Sequence, residues 1–284
     1  MEVSPALFRP KYHREPYAAL NSTAAAGKVV VITGGGSGIG RATAKTFAES
    51  SAKAIVLLGR RESRLLETKR DLEVIFGKQG NTTSSVSTYS TDITDVASVN
   101  ATFKSIADRF RAVDVLINNA GYLPDLARFD QSDFDDWWSA FEVNVKGPAN
   151  TVRSFLQIAS PGATLINITS NLAHLPPYPG TSAYTASKIA TVRFMEFIQQ
   201  EHPHLRVFNL HPGLIATEMS AKSSTESSQE SVDLPAKFCL WLVDPKADFL
   251  KNRLVWSSWD VDELEQRKEE IVQGSLLTVG LKGF

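Results

Sequence analysis

The chain has 284 residues, 43% of them apolar and 21% charged, a balance that buries a sizeable core. Its formal net charge is −1 and its lysines and arginines are scattered, so nothing in the charge favours a nucleic-acid partner. The one cysteine, Cys239, excludes a disulfide framework or a thiolate zinc site within a single chain, and its neighbours Phe238 and Leu240 predict a buried thiol.

The opening residues contain no apolar run of signal-peptide length, and no stretch approaches the ~20 apolar residues of a membrane span. The expectation is a cytoplasmic protein without a membrane partner, in which the Asn-x-Thr triplets at Asn21, Asn81, Asn100 and Asn167 are chance matches. Residues 1–26, with Pro5, Pro10 and Pro16, predict an irregular arm that wraps a single domain spanning 27–284.

From Lys28 onward, short apolar runs alternate with helical periodicity. Val29–Ile32 is β-branched and wholly apolar, as in a parallel strand buried on both faces. Ile39, Thr43, Phe47 and Ala48 form a helical stripe, and Ala54–Leu58 is the second strand. Leu65, Leu72, Ile75 and Phe76 line a second helix, expected to stop at Gly77. Val86–Ser90 is a weaker strand, Val99, Phe103, Ile106 and Phe110 mark a helix, and Val113–Ile117 is the fourth strand. One long helix is predicted over about 133–159, a strand over Ala163–Ile168, a helix over about 183–200 and a strand over Leu205–Leu210. A helix near 235–243, a strand at Arg253–Trp256 and a charged helix from Asp260 complete the chain. This order implies an α/β fold, a Rossmann-type doubly wound parallel sheet that binds ligands at the carboxyl ends of its strands. The polar, serine-rich stretch Ser220–Asp233, within a loop of about 216–235, reads equally as a substrate lid or a plain solvated insertion.

Between the first strand and its helix lies Thr33-Gly34-Gly35-Gly36-Ser37-Gly38-Ile39-Gly40. Glycines there let the backbone approach a pyrophosphate, and the helix N-terminus offers unpaired N–H groups and partial positive charge. Dinucleotide folds that take NAD place an acid about 20 residues on, whereas arginine accommodates a 2′-phosphate. Strand two ends instead in Gly59-Arg60-Arg61, which favours NADP(H) over NAD(H); the bland alternative is that these arginines only solvate the next helix.

Tyr184 and Lys188 stand four residues apart, on one face of a helix. A free tyrosine titrates near ~10, and a neighbouring cation favours its phenolate and brings it closer to working pH. Ser170 follows strand five, Asn118-Asn119-Ala120-Gly121 follows strand four, and Asn144 lies in the helix before strand five, so all converge on one sheet edge.

With Asp92, Pro212-Gly213 and Thr217, these motifs resemble, in order and over residues 27–217, the short-chain dehydrogenase/reductase family, and the arm and tail resemble fungal members. The resemblance implies that Tyr184 exchanges the proton at the substrate oxygen, which Ser170 holds. Lys188 would bind the nicotinamide ribose and lower the Tyr184 pKa, and Asn144 would position a water relaying protons to Lys188. Gly34, Ser37, Gly38, Ile39 and Gly40 would meet the pyrophosphate, Arg60 the 2′-phosphate, and Asp92 and Ile93 the adenine. Asn119, Ala120 and Gly121 would lie at the adenosine-side ribose, Ile215 and Thr217 would fix the carboxamide, and Pro212 and Gly213 would also contact the cofactor. One departure is the spacing from Ser170 to Tyr184, fourteen residues where the family has thirteen, which leaves Asn171 as the alternative to Ser170.

His174, Tyr178 and His211 flank the expected pocket, more simply as structural residues, and Trp137 and Trp138 read as core and dimer surface. The implied activity is ketone or aldehyde reduction, or secondary-alcohol oxidation, on a small molecule such as a secondary metabolite, in a homodimer or homotetramer. Two other readings are a non-redox isomerase, dehydratase or cyclase on the same fold, and a cofactor-sensing binding protein.

Overall fold

Five consecutive buried residues, Val29–Thr33 (β1), occupy the middle of the sheet, and their side chains enter two apolar layers alternately. Val30 and Ile32 join Phe47 and Trp241 in one layer, and Val29 and Val31 join Phe103, Phe155 and Met195 in the other. Because strand side chains alternate in direction, a strand apolar at every position has to be covered on both sides.

The computed structural model describes residue 8 and residues 10–222 and 230–280. Within them β1 pairs in parallel with Ala54–Gly59 (β2) and Val113–Asn118 (β4). Ser85–Ser90 (β3), Ala159–Ile168 (β5), Arg206–His211 (β6) and Leu254–Trp256 (β7) extend a seven-stranded sheet in the order β3-β2-β1-β4-β5-β6-β7. Gly38–Glu49 (α1), Glu62–Lys78 (α2) and Asp233–Val243 (α7) supply the layer around Phe47. Val96–Phe110 (α3), Gly147–Phe155 (α5) and Ser182–Glu201 (α6) supply the other. The chain leaves β3 at one edge and returns as β4 beyond β1, so the winding reverses between β1 and β4 and opens a crevice at their carboxyl ends.

The predicted long helix is present over residues 134–155 but carries one irregular turn. Phe134–Phe141 (α4) runs into a π-turn, Glu142–Lys146, before α5 begins at Gly147. The cause is Pro148, which has no N–H to give the Asn144 carbonyl four residues back. The Thr191 hydroxyl of α6 takes that place, donating to the Asn144 carbonyl at 2.6 Å. β5 also starts earlier than expected, at Ala159. The second helix passes through Gly77 to Lys78, and the left-handed glycine that ends it is Gly80, φ 64°, followed by an Asn81 amide that donates to the Phe76 carbonyl at 3.0 Å. The charged tail is two short helices, Val261–Gln266 (α8) and Lys268–Gln273 (α9).

Residues 10–26 run along the tail segment. Tyr12 bridges Trp259 in antiparallel fashion, the His13 amide donates to the Ser258 carbonyl at 2.7 Å, and the Tyr17 hydroxyl donates to the Trp259 carbonyl at 2.9 Å. Leu20, on a single 3-10 turn, is fully buried in the layer around Phe47. Residues 1–7 and 9 of the expected arm lie outside the described residues. Cys239 is buried in the same layer, which pushes its thiol pKa up. Among the described residues no helix is long and apolar enough to cross a membrane.

Candidate active site

The glycine turn sits at the reversal between β1 and β4. The Thr33 hydroxyl accepts from the backbone amides of Asn119 and Ala120, both at 3.0 Å, and Asn119 Nδ2 donates to the Thr33 carbonyl at 2.9 Å. These bonds join the ends of the two strands, and they leave no space: a Cβ on Gly34 would stand 2.8 Å from Asn119 Nδ2, and one on Gly40 would meet the Gly34 carbonyl oxygen. Gly34 is also in the left-handed region, φ 67°. Ser37 occupies the N-cap of α1 without a side-chain capping bond, so the first amides of the helix face the crevice with the partial positive charge of its N-terminus.

A cleft of about 480 Å³ runs over this turn. Its basic end holds Arg60, Arg61 and Arg64, and its other end holds Tyr184, Lys188 and Pro212. Gly34, Ser37, Gly38 and Ile39 form its floor, with Ala120 and Gly121 beyond them. Asp92 and Ile93 line it as well. Ile93 is held there by the Asn150 amide, which donates to its carbonyl at 2.9 Å, and by Gly147, where a Cβ would stand 2.5 Å from Ile93 Cδ1. Asp92 accepts from the amide and hydroxyl of Thr94 at 2.9 and 2.8 Å, which shapes the turn.

Gly40, Gly213 and Ile215 stand behind the cleft rather than on its wall. Ile215 is buried, and its carbonyl accepts from the Ser220 hydroxyl at 2.9 Å; that hydroxyl also receives the Thr217 amide at 2.8 Å. Thr217 itself lines the cleft, opposite Gly38. A dinucleotide fits this shape: one long crevice, uncapped amides at its middle and a basic end. Thr169, on its wall, adds a buried hydroxyl that has no partner among the described residues.

At the far end α6 presents Tyr184 and Lys188 on consecutive turns, with Lys188 Nζ 5.6 Å from the centre of the Tyr184 ring. Lys188 is buried and donates to the Ile168 carbonyl at 3.0 Å. Burial dominates both groups. It pushes the Tyr184 phenol up to about 12, against a smaller lowering by the Ser170 hydroxyl, and pulls Lys188 down to about 8. The sequence leads one to expect Lys188 to depress Tyr184; in the structure the lysine is the group brought near neutrality and Tyr184 stays protonated.

Ser170 hydrogen-bonds Tyr184 and also accepts the Leu172 amide at 3.2 Å, starting the 3-10 turn Asn171–Ala173. The backbone amide of Asn171 donates to His211 Nδ1 at 3.1 Å, and its side-chain Oδ1 accepts from the Ser170 hydroxyl at 3.3 Å. The extra residue between Ser170 and Tyr184 is absorbed by this turn and by the loop through Gly180. Asn144 is buried in the π-turn. Its Oδ1 accepts from the Tyr122 amide at 2.7 Å, and its Nδ2 donates to the Tyr122 carbonyl at 2.8 Å and the Ser187 hydroxyl at 3.0 Å.

His211 is buried against the Trp256 ring, centroids 4.7 Å apart, and His174 approaches the same indole at 5.7 Å. Burial, with His174 adding to it, pulls His211 down to about 3, so it is neutral at ordinary pH. Trp256, which no motif marks, therefore sits at the heart of this support. Trp137 is half-buried and donates to the Ser182 hydroxyl at 3.0 Å, Trp138 is exposed, and Tyr178 is exposed on its loop. The sequence also gave no sign of Glu218, which ion-pairs with Arg61 at 2.7 Å and approaches Arg64 at 3.7 Å across the cleft mouth. Arg64 was readable as one helical turn beyond Arg61. Residues 223–229, the middle of the Ser220–Asp233 stretch, lie outside the described residues. Beyond them, Glu230 accepts the Tyr12 hydroxyl and the Leu214 amide, the latter at 3.0 Å.

Comparison with known proteins follows the same lines. The profile described as "short chain dehydrogenase" matches residues 28–228. The chain is 31% identical over 282 residues to the short chain dehydrogenase andI of Emericella variicolor, covering 97% of this chain and 96% of that one. It is 33% identical over 262 residues to a short chain dehydrogenase/reductase of Claviceps purpurea, covering 90% and 86%. Among solved structures, a short chain dehydrogenase from Burkholderia cenocepacia in complex with NADP has the same fold, with a TM-score of 0.73, 23% identity, and coverage of 82% of this chain and 97% of that one.

Proposed function

The chain belongs to the short chain dehydrogenase family, and we propose that it is an NADP(H)-dependent reductase of a lipophilic ketone or aldehyde, acting through Ser170, Tyr184, Lys188 and Asn144. The observation that carries this reading is the meeting of Tyr184 and Lys188 at one end of a cleft whose other end is basic, with Ser170 hydrogen-bonded to Tyr184 behind that wall. The bound nicotinamide supplies the hydride. Ser170 holds the substrate oxygen beside Tyr184, and Tyr184, kept protonated by burial, donates its proton to that oxygen as the hydride arrives. Lys188, titrating near neutrality, holds the ribose and returns a proton to Tyr184. Asn144 acts through others: it fixes Tyr122 at the cleft wall and, through Ser187 and Thr191, the face of α6 that carries the pair.

Arg60 and Arg61 stand where an NAD enzyme has its acid, which supports the phosphorylated cofactor; the Burkholderia cenocepacia neighbour also holds NADP. The segments that leave β4, β5 and β6 expose Leu126, Leu175, Tyr178 and Leu214, which suits an apolar substrate such as a secondary metabolite. Phe134 and Trp138 of α4 and Phe197 of α6 are exposed as well, and a second copy covering them gives a homodimer or homotetramer. The single cysteine is buried, in keeping with a reducing cytoplasmic setting.

The deciding assay offers a panel of lipophilic ketones with NADPH or NADH and follows the reduced-nicotinamide absorbance. NADPH consumption matched to alcohol formation is expected. Product formed without any change in cofactor absorbance would instead establish isomerase, dehydratase or cyclase chemistry, and equal or tighter use of NADH would overturn the cofactor assignment.

A further inference from the structure

We infer that the Glu218 carboxylate competes with the 2′-phosphate of the cofactor for Arg61 and Arg64, so that binding the phosphorylated dinucleotide unfastens the segment after Thr217. The inference rests on the NADP(H) reading above and adds to it a residue that sets cofactor preference.

Glu218 belongs to the segment that leaves β6, on the opposite side of the cleft from the arginines at the end of β2. One carboxylate oxygen is 2.7 Å from Arg61 Nη1 and the other 3.7 Å from Arg64 Nη2. Arg61 donates with its remaining Nη to the Ser37 hydroxyl at 3.2 Å, on the α1 side of the glycine turn. Ser37, Arg61 and Glu218 therefore form one bridge over the crevice, and all three line it. The guanidinium of Arg61 pulls the Glu218 carboxyl below its ordinary range, so the bridge is charged at neutral pH.

The charges at this end are nearly matched. Arg61 and Arg64 face Glu218, and Arg64 also pairs at 3.2 Å with Glu67, which approaches Arg41 at 3.9 Å. A phosphate offers three acceptor oxygens and more charge than a carboxylate, and arginine forks suit it. The bridge is also weakly held: the side chains of Arg61 and Glu218 are 54% and 58% exposed, and ion pairs in water contribute little. A 2′-phosphate reaching Arg61 therefore displaces Glu218, whereas a cofactor without that phosphate leaves the bridge in place. The neighbours Thr217 and Met219 line the cleft, and Thr217 is anchored through Ser220 to Ile215. Release of Glu218 thus changes the wall on the substrate side as well as the charge on the adenosine side.

The test measures dissociation constants of NADPH and NADH, by tryptophan-fluorescence quenching and calorimetry, for the full chain, Glu218→Gln, Arg61→Gln and the double variant. Removing the rival charge should raise the NADPH-to-NADH affinity ratio by about three- to fivefold, the scale of an exposed ion pair. Arg61→Gln should lower the ratio, and on that background Glu218→Gln should change it by less than ~1.5-fold. A full chain that prefers NADPH with a ratio unchanged or reduced by Glu218→Gln overturns this inference and leaves the cofactor assignment standing. A full chain that binds NADH at least as tightly as NADPH overturns the assignment itself.

Discussion

Asn144 and the backbone of Tyr122 bond in both directions: the Tyr122 amide donates to Oδ1 at 2.7 Å, and Nδ2 donates to the Tyr122 carbonyl at 2.8 Å. A side-chain amide can serve a backbone donor and acceptor at once, and here it does so from inside a π-turn. Asn144→Leu leaves both Tyr122 backbone groups without this partner, and takes from Ser187 one of its two bonds, the other being to the Tyr184 carbonyl. We expect a loss of ~2–4 kcal/mol in stability by urea unfolding. Turnover should also fall about tenfold or more, because Tyr122 lines the cleft and small displacements are costly there. Unchanged stability would show that the clasp is replaceable by packing.

Tyr184→Phe should reduce turnover by about 10²–10⁴-fold while leaving NADPH affinity within about twofold, since the phenol is read as proton donor. Ser170→Ala should follow the same pattern at smaller size, and Asn171→Ala should have the least effect, because the Asn171 side chain reaches the site only through the Ser170 hydroxyl, at 3.3 Å. Should Asn171→Ala be the more damaging of the two, the oxygen-holding role moves to that residue.

Lys188 carries a burial penalty in its charged form, with a folded pKa of about 8 against the ordinary ~10.4. Below about pH 8 both the folded and the unfolded chain are protonated, and the whole penalty weighs on the folded state. Between about 8 and ~10.4 the folded state sheds the proton first, so stability rises with pH. Lys188→Met should therefore stabilise the protein by ~1–2 kcal/mol at neutral pH while abolishing activity. That advantage should shrink as the pH is raised towards ~10, as followed by thermal unfolding. A constant advantage across the range would mean that Lys188 has the same pKa folded as unfolded and carries no burial penalty.

His211 behaves in the opposite pH range. Its folded pKa of about 3 lies below the ordinary ~6.5, so acid protonates the unfolded chain first and the protein loses stability as the pH falls. Between about pH 6.5 and about pH 5 this one residue accounts for ~2 kcal/mol. His211→Leu should remove that part of the acid sensitivity. It should also cost ~1–2 kcal/mol at neutral pH, because the Asn171 amide loses its acceptor. Equal slopes in urea titrations of the two proteins would rule out His211 as the sensor.

Much of this was readable in the residues. Strands buried on both faces announce themselves as unbroken apolar runs, and Val29–Ile32 and Ala54–Leu58 did so. The glycine turn and the Tyr184–Lys188 pair were legible because their chemistry depends on spacing along one element. The π-turn at Asn144 was legible in principle: Pro148 forbids the helical bond, and Thr191, in another helix, serves the carbonyl left over. The pKa order of Tyr184 and Lys188 was out of reach, since proximity argues for a depressed phenol and burial, a tertiary property, reverses it. Glu218 and Trp256 were invisible for the same reason. Each acts on partners far away in the chain, Arg61 for one and His174 with His211 for the other.

The arm along the tail has a bearing on how the molecule is made. His13 contacts Asp260, 247 residues later, and the Asp260 amide returns a bond to the Lys11 carbonyl at 3.0 Å. During synthesis the sheet from β1 to β6 can assemble as each strand leaves the ribosome, but the arm has nowhere to dock until the segment around Trp259 and Asp260 emerges, several seconds after β6 at ~5–20 residues per second. Until then Tyr12 is absent from Glu230, and the Leu214 end of the cleft lacks its outer support. Residues 10–20 are thus placed after strands β1–β6 although they precede them in the chain, and the cleft gains its finished wall only once the segment around Trp259 and Asp260 has been made.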